Sequence, residues 1–326
     1  MINKPKKNPL VHLWIYNHPF HGISDQIEYF LAVMQQNDYQ VSVGRKPRTE
    51  ALNVVIENFS ENTSQILINF CRNQGKRVAV IMTEHIDLIK GQIFIHGDPL
   101  WSDNDYMHPV TQVARIKNLM DCTEYIRCFL VLGDLPELLN SNDMFPGVAV
   151  RTLPFPKLQS ICPANLEQGN NPTADLAFTG YATNYRAELL KQLEVEMSVT
   201  CPGTFVSRKA RDDFNRSARL ALNIPQRQDW HWLSLMRILA ALRCGRATVS
   251  LGTADNSKIS ACCTQLDITQ VNWLEILQEH ASNWDVMYQR AFDNYEAMAI
   301  AFEQNKPFPH DVFDYWGVIE QCHLNK

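Results

Sequence analysis

In the second half of the chain, arginines and glycines stand just beyond apolar runs, at spacings suited to an anionic ligand. "LAFTGYATNYRAELL" ends an apolar run at Gly180 and opens a helical pattern near Asn184, with Arg186 in its first turn. A glycine admits close approach, free N–H groups at a helix start favour phosphate, and a guanidinium adds a forked contact. The next run, Ala218–Ile224, ends at Pro225 with Gln226 and Arg227 beyond it. From Asn223 to Gln226 such a strand end can offer backbone N–H and C=O groups to a planar base. "HWLSLMRILAALRCGRATVS" reads as a helix from about Leu233, with Ser234 and Arg237 near its start and a tight turn at Gly245 into a buried strand. Each stretch also has a plainer reading: a turn glycine, an ordinary loop, and a packed helix with solvated arginines.

The first half carries acid–base candidates instead. "YNHPFHGISDQ" places His18, His21 and Asp25 after an apolar run. Histidine ionises near neutrality, which suits a general base. Asp25 reads equally as a helix N-cap. "TEHID" adds Glu84 and His85, and "HGDP" adds His96 and Asp98. The acids of "DND", Asp103 and Asp105, sit in a Trp- and Ser-rich loop that is a poor metal site, and no metal ligand set is expected.

The elements that would position these residues alternate. Strand candidates are "LVHLWIY", "YQVSVG", "ALNVVIENF", "RVAVIMTEH", "RCFLVLG" and "GVAVRTLPFP". Between them lie helical patterns such as "SDQIEYFLAVMQQN", with Ser24 or Asp25 as N-cap, and "NTSQILINFCRNQGK", closed by Gly75. A less regular region, "GDPLWSDNDYMHP", interrupts them. Alternation of this kind predicts an α/β fold with mostly parallel sheets covered on both faces. The polar stretch "KLQSICPANLEQGNNPT" reads as a linker. The resulting division is 1–157, a Rossmann-like domain; 158–173, a linker; 174–305, a second such domain; and 306–326, a helical tail free to cross back to the first.

Composition narrows the function classes. The chain has 326 residues, 45% hydrophobic and 20% charged, which fits two soluble domains at about 150 residues each. A net charge of −5 with no basic block beyond "KPKK" argues against a dedicated nucleic-acid binder. Nine scattered cysteines without a CxxC read as reduced thiols of a cytoplasmic protein. "NPLVHLWIY" is too short and polar for a signal or a membrane span, which leaves only peripheral membrane contact. No G-x-G-x-x-G follows a strand, against a nicotinamide dehydrogenase.

Taken in order, "FTGYATNYRAELL", "RSARLALNI" and "RILAALRCGRATVS" resemble the C-terminal half of a GT-B glycosyltransferase, nearest the bacterial type that includes the CgeB-like spore-maturation proteins. The match covers about Asp175–Gly252. The resemblance implies two Rossmann-like domains facing a central cleft, and metal-independent transfer from a nucleotide-sugar donor to a glycan, lipid or protein acceptor, as in cell-surface glycan synthesis. It implies no further cofactor and a diphosphate flanked by Gly180 and Arg186. The nucleobase would be bordered by Asn223, Pro225 and Gln226, with Arg227 also among the donor-binding residues and phosphates or ribose at Ser234 and Arg237. It also implies a base for the acceptor hydroxyl among His18, His21, Asp25 and Glu84. The family often has a ribose-binding Glu where this chain has Ala240, with Asp229 and Asp255 as substitutes. Loss of that carboxylate removes contacts worth about 1.5–3 kcal/mol each. Two other readings follow: a GT-B-like binding protein without turnover, and a sugar-nucleotide epimerase.

Overall fold

The computed structural model describes residues 8–18, 20–57, 59–83, 86–95, 98–99, 109–134, 141–161, 172–203, 206–228 and 230–324. Two compact units emerge: Met1–His18, Ile27–Pro156 and Phe302–Lys326 in the first; Pro19–Gln26 and Lys157–Ala301 in the second. Each is α/β, built on its own parallel sheet.

The first unit contains β1 (Val11–Trp14), α1 (Phe20–Gln36, whose first turns group with the second unit), β2 (Val41–Gly44) and β3 (Leu52–Ile56). After α2 (Glu61–Gln74) and β4 (Val78–Met82) comes a small antiparallel sheet of β5 (Ile86–Ile89), β6 (Gln92–Ile95) and β7 (Asp98–Pro99). α3 (Pro109–Asp121), β8 (Ile126–Leu132), α4 (Ser141–Met144) and β9 (Ala149–Leu153) follow. The strand order is β2-β1-β3-β4-β8-β9, all parallel. β1, β3 and β4 are buried along their whole length, so they read as continuous apolar runs rather than alternating ones. Ser60 caps α2 through Thr63 N, and Gly75 closes it in the left-handed conformation at φ 61°.

The second unit contains β10 (Ala174–Ala177), α5 (Asn184–Leu193), β11 (Val199–Thr200), α6 (Arg208–Ser217), β12 (Ala218–Asn223), α7 (Leu235–Arg243), β13 (Ala247–Leu251) and β14 (Cys263–Leu266). Its order is β11-β10-β12-β13-β14, also all parallel. α8 (Trp273–Ser282) and α9 (Trp284–Asn305) come next, and α10 (His310–Leu324) groups with the first unit. Gly245 takes φ 73° between α7 and β13, the turn its position in the sequence implies. Arg246 directly after it is buried, donates to the carbonyls of Ala218, Gly245 and Arg216, and lies 4.6 Å from the Trp284 ring centroid.

One expectation needs correction. α1 begins at Phe20, so Ser24 and Asp25 lie inside the helix and cap nothing. Nearer the C-terminus, Asn283 separates α8 from α9.

Both sheets reverse direction of growth beside their first strand. The chain moves from β1 to β2 on one side, then returns to β3 on the other; β10, β11 and β12 repeat the pattern. In open α/β sheets a crevice forms beyond the carboxyl ends of the strands at such a reversal, and ligands bind there. Each unit has one such place.

Candidate active site

In the second unit the reversal lies between β10 and β12. Past β10 the buried Phe178 ring is flanked by two guanidiniums, Arg186 and Arg237, each 5.4 Å from its centroid. Arg186 is itself buried; its Nε donates to Ile224 O (2.9 Å) and one terminal nitrogen to Tyr181 O (2.9 Å). Arg237, the third residue of α7, donates to Asn223 Oδ1 at 2.6 Å. Among the described residues no carboxylate lies within ion-pairing distance of Arg237. Burial first, then the neighbouring Arg186, pushes its pKa well below the usual guanidinium range, while Asp25 opposes the shift and Arg211 adds to it. At neutral pH the group stays charged.

Gly180 makes this arrangement fit. A Cβ there would stand 2.7 Å from an Arg237 terminal nitrogen and 2.7 Å from Phe178 Cζ. The sequence reading left that space to a ligand; in the structure the Arg237 side chain and the Phe178 ring fill it. A polar chain supports the pair from beneath. Asn223 donates to Ser250 Oγ (2.7 Å), and Thr253 Oγ1 lies 2.8 Å from the same oxygen. Asn223, Ser250 and Thr253 are all buried.

Beyond β12, Pro225 is buried and Gln226 accepts from Thr183 Oγ1 through its carbonyl at 2.9 Å. Thr183 is also the N-cap of α5, bonded by Arg186 N, so one hydroxyl ties the two strand ends together. Gln226 Oε1 is buried and has no hydrogen-bond partner among the described residues. An orphan acceptor of this kind costs about 1–3 kcal/mol unless a donor reaches it. Arg227 lies 6.0 Å from the Trp230 ring centroid. Ser234 stands at the N-cap position of α7, but its hydroxyl makes no cap bond.

Ala240 is buried in α7, and of the two proposed substitutes for the acid only Asp255 is described. Asp255 uses both carboxylate oxygens on backbone N–H groups, Leu233 N (2.8 Å) and Ser257 N (2.6 Å), holding the approach to α7. Asp229 lies outside the described residues. Asp25 groups with this unit and is clamped by Arg211, at 2.5 and 2.8 Å, and by Arg243 at 2.7 Å. Both carboxylate oxygens of Asp25 are thus engaged by guanidiniums.

In the first unit the reversal lies between β1 and β3, and His18 stands there. It is buried, and its Nε2 lies 3.1 Å from Ile56 O. A carbonyl can only accept, so Nε2 carries the proton and Nδ1 keeps its lone pair. Burial lowers the His18 pKa, against the bond to Ile56 O, and the charges of Arg115 and Arg45 lower it further. The ring is therefore neutral at pH 7, the state a general base needs.

Beside it is an ion pair the sequence reading missed. Buried Glu57, directly after β3, accepts from Arg115 Nε at 2.5 Å and from one terminal nitrogen of the same fork, and from Thr83 Oγ1 at 3.0 Å. The available signal was a lone acid at the end of the apolar run "LNVVI". Glu84 and His85 fall outside the described residues, as do His96, Asp103 and Asp105; nothing is described of the side chains of His21 and Asp98.

A cavity of about 320 Å³ opens elsewhere in this unit, lined by Leu10, Leu52 and the ion pair Lys76–Glu320, among others. It lies at the amino ends of β1 and β3, away from the residues above. Among the described residues no group of three or more His, Cys, Asp or Glu could hold a metal ion. No described helix is long and apolar enough to cross a membrane.

No protein-family model matches the chain, nor does any curated protein, so the CgeB-like resemblance rests on the motifs of 175–252 alone. Solved structures that it matches include an α1,3-fucosyltransferase, at 12% identity over 89% of this chain and 83% of that one, with a TM-score of 0.43. An α-glucosyltransferase, solved with UDP and a 13-mer DNA, matches at 9% identity over 94% and 100%, TM-score 0.46. An α,α-trehalose-phosphate synthase (UDP-forming) from Burkholderia vietnamiensis matches at 9% over 90% and 76%, TM-score 0.43. At these identities and scores the likeness carries no argument about ligand or reaction. The side chains must supply it.

Proposed function

We propose that the protein is a glycosyltransferase that uses a nucleotide-sugar donor. The observation that carries this reading is the pair Arg186 and Arg237 on one Phe178 ring at the reversal of the second sheet. Arg237, half-buried with Arg186 beside it and no described acid in contact, is electrostatically strained, and a diphosphate relieves it. Nucleotide sugars present that group next to a base and a ribose. The orphan Gln226 Oε1 fits a donor from either. The second unit is then the donor domain and the first the acceptor domain.

In the reaction, an acceptor hydroxyl attacks the anomeric carbon and the bond to the diphosphate breaks. In the first unit, Nδ1 of His18 is the base this reading assigns to the hydroxyl proton. Arg186 and Arg237 meet the negative charge that grows on the leaving oxygen, the task that in other enzymes falls to a metal ion. The acceptor class, glycan, lipid or protein, follows from neither unit.

The test is thermal stability with UDP-, GDP- and dTDP-linked sugars. One of them should raise the melting temperature, and Arg237→Ala should abolish the rise. The absence of a shift with every nucleotide sugar would sink the reading. A second reading, a binding protein without turnover, is favoured by Ala240 and by the engagement of Asp255 with backbone. Release of sugar from the donor by purified protein, lost in the Arg237 variant, separates the two.

A further inference from the structure

Arg45, just past β2, has no task in the reading above. Its guanidinium donates from one terminal nitrogen to Tyr16 O (2.8 Å) and, at the longer distance of 3.4 Å, to His18 O. Arg45 is an exposed residue, and among the described residues no carboxylate pairs with it. The Trp14 indole donates to Arg45 O at 3.0 Å, which fixes the backbone from which the side chain reaches. An exposed arginine on a free stem would carry no information. This one is tied back onto the turn that holds His18.

That turn is strained. Tyr16 has φ 37°, a left-handed conformation that is an outlier for a bulky residue. Arg45 holds the Tyr16 carbonyl, and Asn62 Nδ2 lies 3.4 Å from the Tyr16 hydroxyl. A strained aromatic residue, a buried histidine and an unneutralised guanidinium thus meet at the reversal of the first sheet. Arg115, the other cation near His18, is committed to Glu57. Among the described residues around His18, Arg45 offers a guanidinium that no carboxylate pairs with.

We propose that the molecule bound in the first unit carries an anionic group, a carboxylate or a phosphate, which Arg45 binds beside His18. The inference rests on reading His18 as the acceptor-side base, and it names what that reading leaves open: the acceptor is an acidic or phosphorylated sugar derivative rather than a neutral one. A guanidinium meets either group with paired N–H donors. Neutral sugars leave that fork unused.

The experiment is calorimetric titration of the full chain, with nucleotide present, using glucuronate, glucose 6-phosphate and glucose as probes. The two acidic probes should bind where glucose does not, and the tighter of them identifies carboxylate or phosphate as the recognised group. Arg45→Gln should weaken the acidic probes about tenfold or more, and Arg45→Lys should recover part of the loss. Equal binding of glucose and the acidic probes, or unchanged binding by Arg45→Gln, overturns the proposal. If nucleotide binds through Arg237 while the acidic probes do not bind, this inference falls and the transferase reading stands. If the acidic probes bind through Arg45 and no nucleotide sugar binds, the site stands and the transferase reading falls.

Discussion

The two sheet reversals share one topology and carry opposite electrostatics. In the first unit the half-buried cation, Arg115, is neutralised by Glu57, which also accepts from Thr83, and the titratable group, His18, is held neutral. In the second unit no described acid contacts Arg237, which leans on a neutral amide, Asn223. The backbone plan therefore fixes where a ligand sits and says little about which one. On the proposed reading the complete ion pair stands beside the proton acceptor, and the incomplete one receives the anion.

The comparison breaks most visibly at Glu57. Glu57→Gln leaves the half-buried Arg115 with its charge uncancelled, and breaking a buried pair from one side destabilises by up to about 3–5 kcal/mol. Urea unfolding should show a large drop in midpoint. Replacing both partners by apolar residues, Glu57→Leu with Arg115→Met, should recover most of it. If Glu57→Gln is as stable as the parent, the first reversal is not a neutralised one and the contrast is lost.

Arg237 comes next. Arg237→Ala removes charge-assisted contacts worth about 1.5–3 kcal/mol, so nucleotide affinity should fall about 10- to 150-fold. The fold itself should suffer less than with Glu57→Gln, since removing an uncancelled charge relieves Arg186 while leaving Asn223 Oδ1 unfilled. A nucleotide Kd measured by calorimetry beside a urea midpoint separates the two effects. Greater loss of stability than of affinity would mean that Arg237 is a structural residue like Arg246.

Much of this contrast is readable from residue order. Buried parallel strands announce themselves as apolar runs, and Gly180, Arg186 and Arg237 stand where a strand end meets a helix start. What escapes is set by distant partners. Glu57 finds Arg115 across fifty-eight positions, which no local pattern signals. Asp25 looks like a cap because Ser24 and Asp25 precede an amphipathic run. Arg211 and Arg243 take its carboxylate instead, and the helix starts at Phe20. The sheet of β5 to β7 was missed because its tight turn is Lys90–Gly91, with φ 51° and 78°. Asn or Asp would be the usual partner of that glycine.

Gly180 sharpens the second site. Gly180→Ala puts a methyl group 2.7 Å from both Phe178 and the Arg237 guanidinium. The ring cannot yield in a packed interior, so the arginine must move, at about 1–3 kcal/mol. Nucleotide binding should weaken while Arg237 remains present and charged, and the double variant Gly180→Ala with Arg237→Ala should bind no worse than Arg237→Ala alone. Additive losses would show that Gly180 touches the ligand directly rather than through the arginine.

The smallest effect is the first unit's share of a pH dependence to which His280 of the second unit, its pKa also lowered first by burial, contributes the remainder. His18 and, on β1 itself, His12 both have pKa values lowered first by burial. The unfolded chain, with imidazoles near about 6.5, takes up protons before the folded one does. Their contribution to stability is therefore present above about pH 6.5. It is lost as the pH falls from there through the lower folded-state values. His12 is tied on both sides, with Nδ1 2.8 Å from Ser42 Oγ and Nε2 2.9 Å from Lys46 O, so His12→Gln should flatten part of that loss and leave activity in place. His18→Gln should flatten the rest and remove activity with it. In the parent, kcat/KM should decline on the acid side only below about 6.5, as His18 takes up its proton. An acid limb that survives in His18→Gln would assign the base elsewhere, and would leave the two reversals differing in charge alone.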